Sequence, residues 1–100
     1  MAKNAYFVVV AYDIRDDRRR LKVMNTLLDF GGKRVNYSVF ECLLPETKLV
    51  KAKREIERII DKKKDNIRYY ILCEACIKLI ETQGVDISTL LQDDDNAIFV

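Results

Sequence analysis

The chain has 100 residues, of which 49% are hydrophobic and 34% charged, with three glycines, one proline and no tryptophan. This length predicts one compact domain over residues 1–100, and the composition excludes disordered, collagen-like and low-complexity proteins. The longest apolar run, Ala5–Tyr12, is too short to cross a bilayer, and no signal-peptide pattern precedes it. We therefore expect a cytoplasmic protein that has no membrane partner.

The sequence contains no histidine, which excludes Ser-His-Asp and Cys-His nucleophile pairs, histidine general bases and histidine-containing zinc sites. The formal net charge is +2, but it is unevenly distributed. Residues 1–68 carry 17 lysines and arginines against 10 acidic residues, whereas residues 69–100 carry one lysine against six acidic residues. The basic part of the chain indicates an anionic partner.

The first half of the chain begins with a strand and a helix. The apolar run Ala5–Tyr12 predicts a strand that is buried on both faces. Asp16 or Asp17 is expected to cap the helix that follows, and Gly31-Gly32 to end it, because a left-handed C-cap residue favours glycine. The apolar face of this helix is predicted from four side chains at helical spacing: Leu21, Met24, Leu27 and Leu28.

The middle of the chain favours a strand followed by a second helix. The stretch Arg34–Leu44 is aromatic, β-branched and partly alternating, so its pattern alone predicts one long strand. Pro45 suits the first turn of the next helix, and Lys62–Lys64 are expected at its C-terminal end, where the helix dipole favours cations. The apolar stripe of this helix is Leu49, Ala52, Ile56, Ile59 and Ile60.

The last third adds a strand at Ile67–Leu72, a further short strand at Lys78–Thr82 and an apolar segment at residues 96–100. The order is therefore β–α–β–α–β, with two amphipathic helices on one face of a small sheet. This order predicts an α+β sandwich, and for a chain of this size the ferredoxin-like arrangement is the leading candidate.

Asp13 is the most informative polar residue because it directly follows the first strand. An isolated aspartate in this place is more often a turn or capping residue, but Asp16 and Asp17 are available for capping. One carboxylate cannot support metal-assisted phosphodiester chemistry alone, since Mg²⁺ takes one or two carboxylates together with phosphate oxygens. A two-fold dimer that brought two copies of Asp13 together would supply the pair.

A cationic cluster occupies the first turns of the predicted first helix: Arg18, Arg19, Arg20 and Lys22. Cations at a helix N-terminus oppose the helix dipole, which indicates a phosphate-bearing partner that arginine binds bidentately. A solvated helix face is the alternative interpretation. Arg34 is expected to join the cluster from the next strand.

Two aromatic residues and three cysteines complete the candidates. Tyr37 and Phe40 are core residues or platforms for nucleotide bases, with core as the default. Cys73 and Cys76 form a CxxC motif that supplies only two of the four ligands of a zinc site and precedes no long helix of the thioredoxin kind. We interpret them as reduced structural thiols, and we expect Cys42 to be buried in its strand.

Three stretches taken together resemble one family: YDIRDDRRR at 12–20, RVNYSVFEC at 34–42, and the region from IRYYILCEAC to IETQG at 67–84. They are similar to the small CRISPR-associated Cas2 family, the partner of the integrase in spacer acquisition. The resemblance implies a ferredoxin-like βαββαβ core, in which residues 34–44 form two strands with a turn near Asn36–Ser38. It also implies a homodimer in which a C-terminal strand, within the extension at residues 85–100, is exchanged with or added to the partner's sheet.

The resemblance also implies a set of site residues. Asp13 is expected to bind Mg²⁺ or Mn²⁺ between the protomers. Lys22 stands where some relatives carry an arginine, and it lacks the bidentate fork, so no role is assigned to it. The catalytic residues implied are Asp13, Tyr12, Arg20, Arg34 and Phe40.

Three functions remain open for such a chain. The first is a metal-dependent endonuclease that acts on single-stranded RNA or double-stranded DNA and whose nucleic-acid-binding residues are Arg18, Arg19, Arg20 and Arg34. The second is a non-catalytic, dimeric DNA-binding scaffold onto which the integrase docks. The third is a toxin-type ribonuclease of the same fold. The resemblance favours a role in spacer acquisition.

Overall fold

The computed structural model describes residues 5–85, and no helix in this range is long and apolar enough to cross a membrane. The sheet has four antiparallel strands in the order β2-β3-β1-β4. The predicted α+β, ferredoxin-like sandwich is confirmed. The C-terminal extension at residues 85–100 is predicted to pair with a partner. All of it except residue 85 lies outside the described residues. The elements are β1 (Ala5–Asp13), α1 (Asp17–Asp29), β2 (Lys33–Asn36), β3 (Val39–Pro45), α2 (Glu46–Ile59), β4 (Asn66–Leu72) and α3 (Glu74–Ile77).

The hydrophobic core lies between one face of the sheet and the helices α1 and α2. Alternate residues of a strand point to the same side, so each strand contributes every second side chain to this core. The strand residues of the core are Val8, Val10, Tyr12, Phe40, Cys42 and Leu44, and the helix residues are Val23, Met24, Leu27, Leu49, Ala52 and Ile56. The prediction that Cys42 is buried in its strand is therefore confirmed.

The other face of the sheet carries no helix, and we call it the open face. By alternation and register it consists of Phe7, Val9, Ala11 and Asp13 on β1, Val39, Glu41 and Leu43 on β3, and Asn66, Arg68, Tyr70 and Leu72 on β4. The apolar side chains of β1 on this face are only half-buried. The prediction that the first strand is buried on both faces is therefore wrong for the chain as the structure describes it.

Both ends of α1 follow the sequence prediction. Asp16 is the N-cap residue, and its side chain accepts a hydrogen bond from the Arg19 amide at 2.9 Å. The helix gives way to Gly31, whose φ of 81° is a conformation that glycine adopts without steric cost. The apolar face of α1 differs from the prediction at two residues: Val23 is fully buried, whereas Leu21, which was predicted on this face, is exposed.

Gly32 is required by packing rather than by its backbone conformation. A Cβ atom at this position would lie 2.8 Å from both the Cys42 Sγ atom and the Leu27 carbonyl oxygen. Because the carbonyl belongs to the backbone, it cannot move aside as a flexible side chain could. The chain therefore passes close under β3 only because residue 32 has no side chain.

The strands β2 and β3 form a hairpin with its turn at Tyr37 and Ser38. The single long strand predicted from the pattern of Arg34–Leu44 is wrong, and the division near Asn36–Ser38 that the family resemblance implies is confirmed. The Asn36 side chain accepts a hydrogen bond from the Tyr37 amide at 2.7 Å, a local bond that supports the turn.

The limits of α2 differ slightly from the prediction. Pro45 is the N-cap residue and the end of β3, so it lies one position before the first turn. The helix ends at Ile59, so Lys62–Lys64 lie in the turn that follows it, and the cation in its last turn is Arg58. The predicted apolar stripe is confirmed, with Leu49, Ala52 and Ile56 buried and Ile59 and Ile60 packed against the core.

The predicted strand at Lys78–Thr82 is wrong. The short helix α3 precedes it, and the amides of Leu79 and Ile80 donate hydrogen bonds to the carbonyl oxygens of Cys76 and Ile77. These local bonds occupy backbone groups that pairing with a neighbouring strand would need. Apolar residues in this segment therefore form turns rather than a fifth strand of the sheet.

Candidate active site

Asp13 is the last residue of β1, where it lies opposite Asn66 of β4. It belongs to the open face, in line with Val9 and Ala11 and away from both long helices. Its side chain is exposed, and within residues 5–85 its carboxylate makes no hydrogen bond or ion pair. Since Asp16 provides the helix cap, Asp13 is not needed for capping, and its oxygens are accessible to a ligand.

Tyr12 and Arg34 converge on the turn of the β2–β3 hairpin. The Tyr12 hydroxyl donates a hydrogen bond to the Tyr37 carbonyl oxygen at 3.1 Å, and Arg34 Nη2 donates to the same oxygen at 3.0 Å. The Tyr12 amide also donates to the Ser38 carbonyl oxygen at 3.0 Å. Both side chains are buried, at 5% and 3% exposed. They hold the hairpin against the end of β1, the strand whose last residue is Asp13.

Phe40 is fully buried on the core side of β3. Its ring centroid lies 6.3 Å from that of Tyr12, with the ring planes tilted by 31°. Of the two interpretations of Phe40, the structure shows the core residue, because a ring with no exposed surface offers no platform for a base. Tyr37 differs, since it is 53% exposed and the Arg34 guanidinium lies 5.8 Å from its ring centroid.

Arg20 fixes the loop that connects β1 to α1. Its Nη1 atom donates hydrogen bonds to the carbonyl oxygens of Ile14 at 3.1 Å and Arg15 at 3.2 Å. Its Nη2 atom forms an ion pair with Asp17. Because this loop begins immediately after Asp13, the structure places Arg20 as a second support for the end of β1.

Arg19 is drawn away from the predicted cationic cluster by an ion pair. Its Nε and Nη2 atoms donate to the two carboxylate oxygens of Asp65 at 2.7 and 3.2 Å, a bidentate arrangement. The Asp65 side chain is 1% exposed and also accepts a hydrogen bond from the Asp61 amide at 2.8 Å. Arg18 is exposed and has no ion pair within residues 5–85. Of these two arginines, Arg18 is therefore the one accessible to a phosphate.

The Arg19 hydrogen bond holds the pKa of Asp65 below its ordinary value. Because the folded-state pKa is the lower one, the stabilisation is present above the ordinary carboxyl pKa and is lost as pH falls through the folded-state value. We expect Asp65→Ala to lower the free energy of unfolding by about 1 kcal/mol near neutral pH, since solvent reaches the Arg19 side chain and weakens the pair.

Urea unfolding near neutral pH and at about pH 2 measures this effect, and the difference from the native protein should shrink in acid. Arg18→Ala is the control, because Arg18 and Arg19 both lie in the first turn of α1 but only Arg19 is paired with Asp65, so Arg18→Ala should not lower the stability in this way. A loss of stability on Asp65→Ala that is the same at both pH values would contradict the prediction.

Arg68 is a cation near Asp13 that sequence reasoning missed. It lies on the open face opposite Ala11, two residues along β4 from Asn66, and its side chain is exposed. Its Nη1 atom donates a hydrogen bond to the Tyr70 hydroxyl at 3.0 Å. The signal was present in the sequence, because alternation along β4 places Arg68 on the side opposite to the core residues of that strand.

The described residues contain no complete metal site. Within residues 5–85 no group of three or more acidic or cysteine side chains is arranged to hold a metal ion. The exposed carboxylate of Asp13 nevertheless suits Mg²⁺ or Mn²⁺, which bind oxygen ligands and take the rest from water and phosphate. One chain therefore presents one exposed carboxylate at the end of β1.

A family model described as CRISPR associated protein Cas2 matches residues 6–80. The chain belongs to this family. A relative named CRISPR-associated endoribonuclease Cas2 3, from Synechocystis sp., is 39% identical over 79 residues, which cover 79% of this chain and 85% of that protein. A relative named CRISPR-associated endonuclease Cas2 2, from Thermus thermophilus, is 46% identical over 70 residues, covering 70% and 74%.

Two solved structures are similar in fold and sequence. A hypothetical protein from Thermus thermophilus has a TM-score of 0.73 and 40% identity, covering 81% of this chain and 93% of that one. The crystal structure of Streptococcus pyogenes Cas2 at pH 6.5 has a TM-score of 0.68 and 37% identity, covering 78% and 99%. The Cas2 family inferred from the three sequence stretches is thus confirmed, while the catalytic and metal-binding roles of individual residues stay predictions.

Proposed function

We propose that this Cas2-family chain is a metal-dependent endonuclease that acts as a homodimer on single-stranded RNA or double-stranded DNA. The observation that carries the proposal is the position of Asp13, whose exposed carboxylate lies on the open face and makes no hydrogen bond or ion pair within residues 5–85. The names of the relatives from Synechocystis and Thermus, an endoribonuclease and an endonuclease, support nuclease chemistry in this fold.

The open face supports the homodimer. Neither α1 nor α2 covers it, and its side chains Leu43 and Tyr70 are 48% and 44% exposed. A second copy packed on this face would remove apolar surface from water, and the same surface would serve both copies in a two-fold arrangement. Because Asp13 belongs to the open face, such packing would bring the Asp13 carboxylates of both protomers to one interface.

Leu43→Asp is expected to convert the dimer to a monomer, because it places a charge in the centre of a buried apolar interface. Val50→Asp is the matched control, since Val50 is similarly exposed, at 43%, but lies on α2, away from the open face. Sedimentation measures the oligomeric state, and circular dichroism reports whether each variant is folded. A folded Leu43→Asp variant that sediments as the native protein does would contradict dimerisation through this face.

The chain's own residues have distinct parts in the proposed reaction. One Asp13 carboxylate from each protomer would hold the metal, which when bound activates water and offsets the charge of the phosphate. The exposed side chains Arg18 and Arg68 would bind the backbone phosphates on either side. Tyr12 and Arg34 would keep the end of β1 fixed against the hairpin, so that the two carboxylates stay in register.

We place this activity in the acquisition of new spacers, with the CRISPR integrase as the partner protein, on the strength of the family resemblance. A second candidate function is a non-catalytic scaffold that binds duplex DNA for that integrase. It is favoured by the single carboxylate that each chain contributes and by the exposed cations Arg18, Lys22 and Arg68, which bind phosphates without reading bases.

The experiment that separates the two functions is cleavage of single-stranded RNA and of duplex DNA, with and without Mg²⁺ or Mn²⁺, by the native protein and by Asp13→Ala. Metal-dependent cleavage that the variant has lost would support the nuclease and identify its substrate. No cleavage by either protein, or equal cleavage by both, would remove Asp13 from the active site. The scaffold function then predicts that both proteins bind duplex DNA equally, with affinity that falls steeply as salt rises.

A further inference from the structure

Two cysteines lie side by side on the surface where the chain leaves the sheet. Cys73 follows the last residue of β4, and Cys76 lies one turn further along, in α3. Their Sγ atoms are 3.4 Å apart, and both side chains are exposed. A disulfide bond needs the sulfurs at about 2.05 Å, so the two thiols already lie within about 1.4 Å of bonding distance.

The two thiols are not equivalent. Hydrogen bonds from the amide and the thiol of Cys76 stabilise the Cys73 thiolate and lower the pKa of Cys73. The pKa of Cys76 is raised, because its thiol would donate to the Cys73 thiolate and its own thiolate would be repelled by that of Cys73. Of the two thiols, Cys73 therefore loses its proton more readily, which favours it as the attacking group.

The surroundings of Cys73 and Cys76 differ from those of a buried structural cysteine. Cys42 shows the structural case, because it is 1% exposed and burial raises its pKa to about 11. Cys73 and Cys76 contribute nothing to the core, and within residues 5–85 they are not joined by a third metal-binding side chain. Exposure and contact between two thiols are instead the arrangement of a reactive dithiol.

We propose that Cys73 and Cys76 are a redox-active dithiol that small-molecule disulfides oxidise, reversibly, to an intramolecular disulfide bond. This replaces the expectation that the two cysteines are inert reduced thiols. It is consistent with a reducing compartment, where disulfides that form in proteins are usually transient and sensitive to redox conditions.

The chemistry is a two-step exchange. The Cys73 thiolate attacks one sulfur of the small disulfide, whose S–S bond breaks and releases one thiolate, leaving a mixed disulfide on Cys73. Cys76 then loses its proton to solvent and attacks Cys73 Sγ, which releases the second small thiolate. The protein dithiol is oxidised, the small disulfide is reduced to two thiols, and an excess of thiol reverses both steps.

The test equilibrates the native protein with mixtures of reduced and oxidised glutathione, followed by acid quenching, alkylation of free thiols and mass spectrometry. As the oxidised share rises, we expect Cys73 and Cys76 to lose alkylation together, with the loss of two hydrogen atoms from the protein. Excess dithiothreitol should restore both thiols. Cys42 is the internal control and should stay reduced throughout.

Single variants check the order of the steps. Cys76→Ser leaves Cys73 without its resolving partner, so it should accumulate a glutathione adduct, and Cys73→Ser should form the corresponding adduct on Cys76 more slowly. The proposal is overturned if both thiols of the native protein stay open to alkylation at every ratio. It is equally overturned if the native protein accumulates only glutathione adducts or disulfides between chains.

This proposal does not rest on the proposed nuclease. The dithiol follows Leu72, whereas Asp13 lies opposite Asn66, so the two sites are at opposite ends of β4. Closing the disulfide should therefore leave Asp13-dependent cleavage unchanged. Loss of cleavage in Asp13→Ala and loss of alkylation in oxidised glutathione are independent results, and either proposal can fail while the other stands.

Discussion

Replacing Asp13 with asparagine is expected to lower metal-dependent phosphodiester cleavage by on the order of a hundredfold or more. Asparagine keeps the size of the side chain and one oxygen, but it removes the negative charge that a hard divalent cation prefers. Each dimer would lose two charges, because the variant affects both protomers. The measurement is the initial rate as a function of Mg²⁺ concentration, and half of the maximal rate should need more metal in the variant.

Asp29→Asn is the matched control for this prediction. Asp29 is exposed at the C-terminal end of α1 and has no ion pair within the described part of the chain, so the same change of charge is made away from Asp13. We expect its rate and metal dependence to equal those of the native protein. Equal losses in the two variants would point to net charge rather than to a ligand at the end of β1.

Phe40→Ala should produce the largest loss of stability, about 3–5 kcal/mol in the free energy of unfolding. The side chain is fully buried and packs against the ring of Tyr12. Removing it leaves a cavity beneath the hairpin that its neighbour Gly32 cannot fill, because Gly32 has no side chain. For a domain of ordinary stability this is about a fifth or more of the total.

Equilibrium urea unfolding of Phe40→Ala and Phe40→Leu measures the effect. Leucine retains most of the apolar volume, so we expect it to cost about 1 kcal/mol. A loss of less than about 1 kcal/mol for Phe40→Ala would contradict the core assignment. A stable Phe40→Leu variant that no longer cleaves nucleic acid would show that cleavage needs the aromatic ring packed against Tyr12.

Much of the fold could be predicted because hydrophobic periodicity reports burial directly. In a small sheet covered by two helices, each apolar pattern can be buried in one way only. The patterns that identified their elements are the apolar run of β1, the helical spacing of Met24 and Leu27, and the stripe from Leu49 to Ile56. The hairpin could not be predicted from the pattern, because Tyr37 and Ser38 turn without glycine or proline. Only the family resemblance located it.

Local sequence patterns gave wrong predictions where the structure depends on contacts that the pattern does not contain. Lys78–Thr82 has an apolar content that suits a strand, but the hydrogen bonds of its backbone are made within turns. Arg19 and Asp65 are 46 residues apart, and no spacing rule connects them. The charge pattern alone therefore assigned Arg19 to the same surface as Arg18, although the two guanidinium groups have different surroundings.

The family resemblance predicted a set of site residues whose catalytic roles stay predictions. Four of them, Asp13, Tyr12, Arg20 and Arg34, lie around the end of β1 and the adjoining turn and loop. The sequence could not show that three of them donate hydrogen bonds to backbone carbonyl oxygens, whereas the Asp13 carboxylate accepts no hydrogen bond from residues 5–85. That distinction depends on side-chain directions across two different strands and a loop.

The position of β1 in the sheet also affects how the chain is made. This strand is synthesised first, yet it lies between β3 and β4, whose residues follow about 30 and 60 positions later along the chain. Its edges and its apolar side chains therefore stay unpaired on a nascent chain until most of the domain has emerged. Such segments associate readily with other unfolded chains. Pairing of β1 along both of its edges therefore has to wait until β4 has been synthesised.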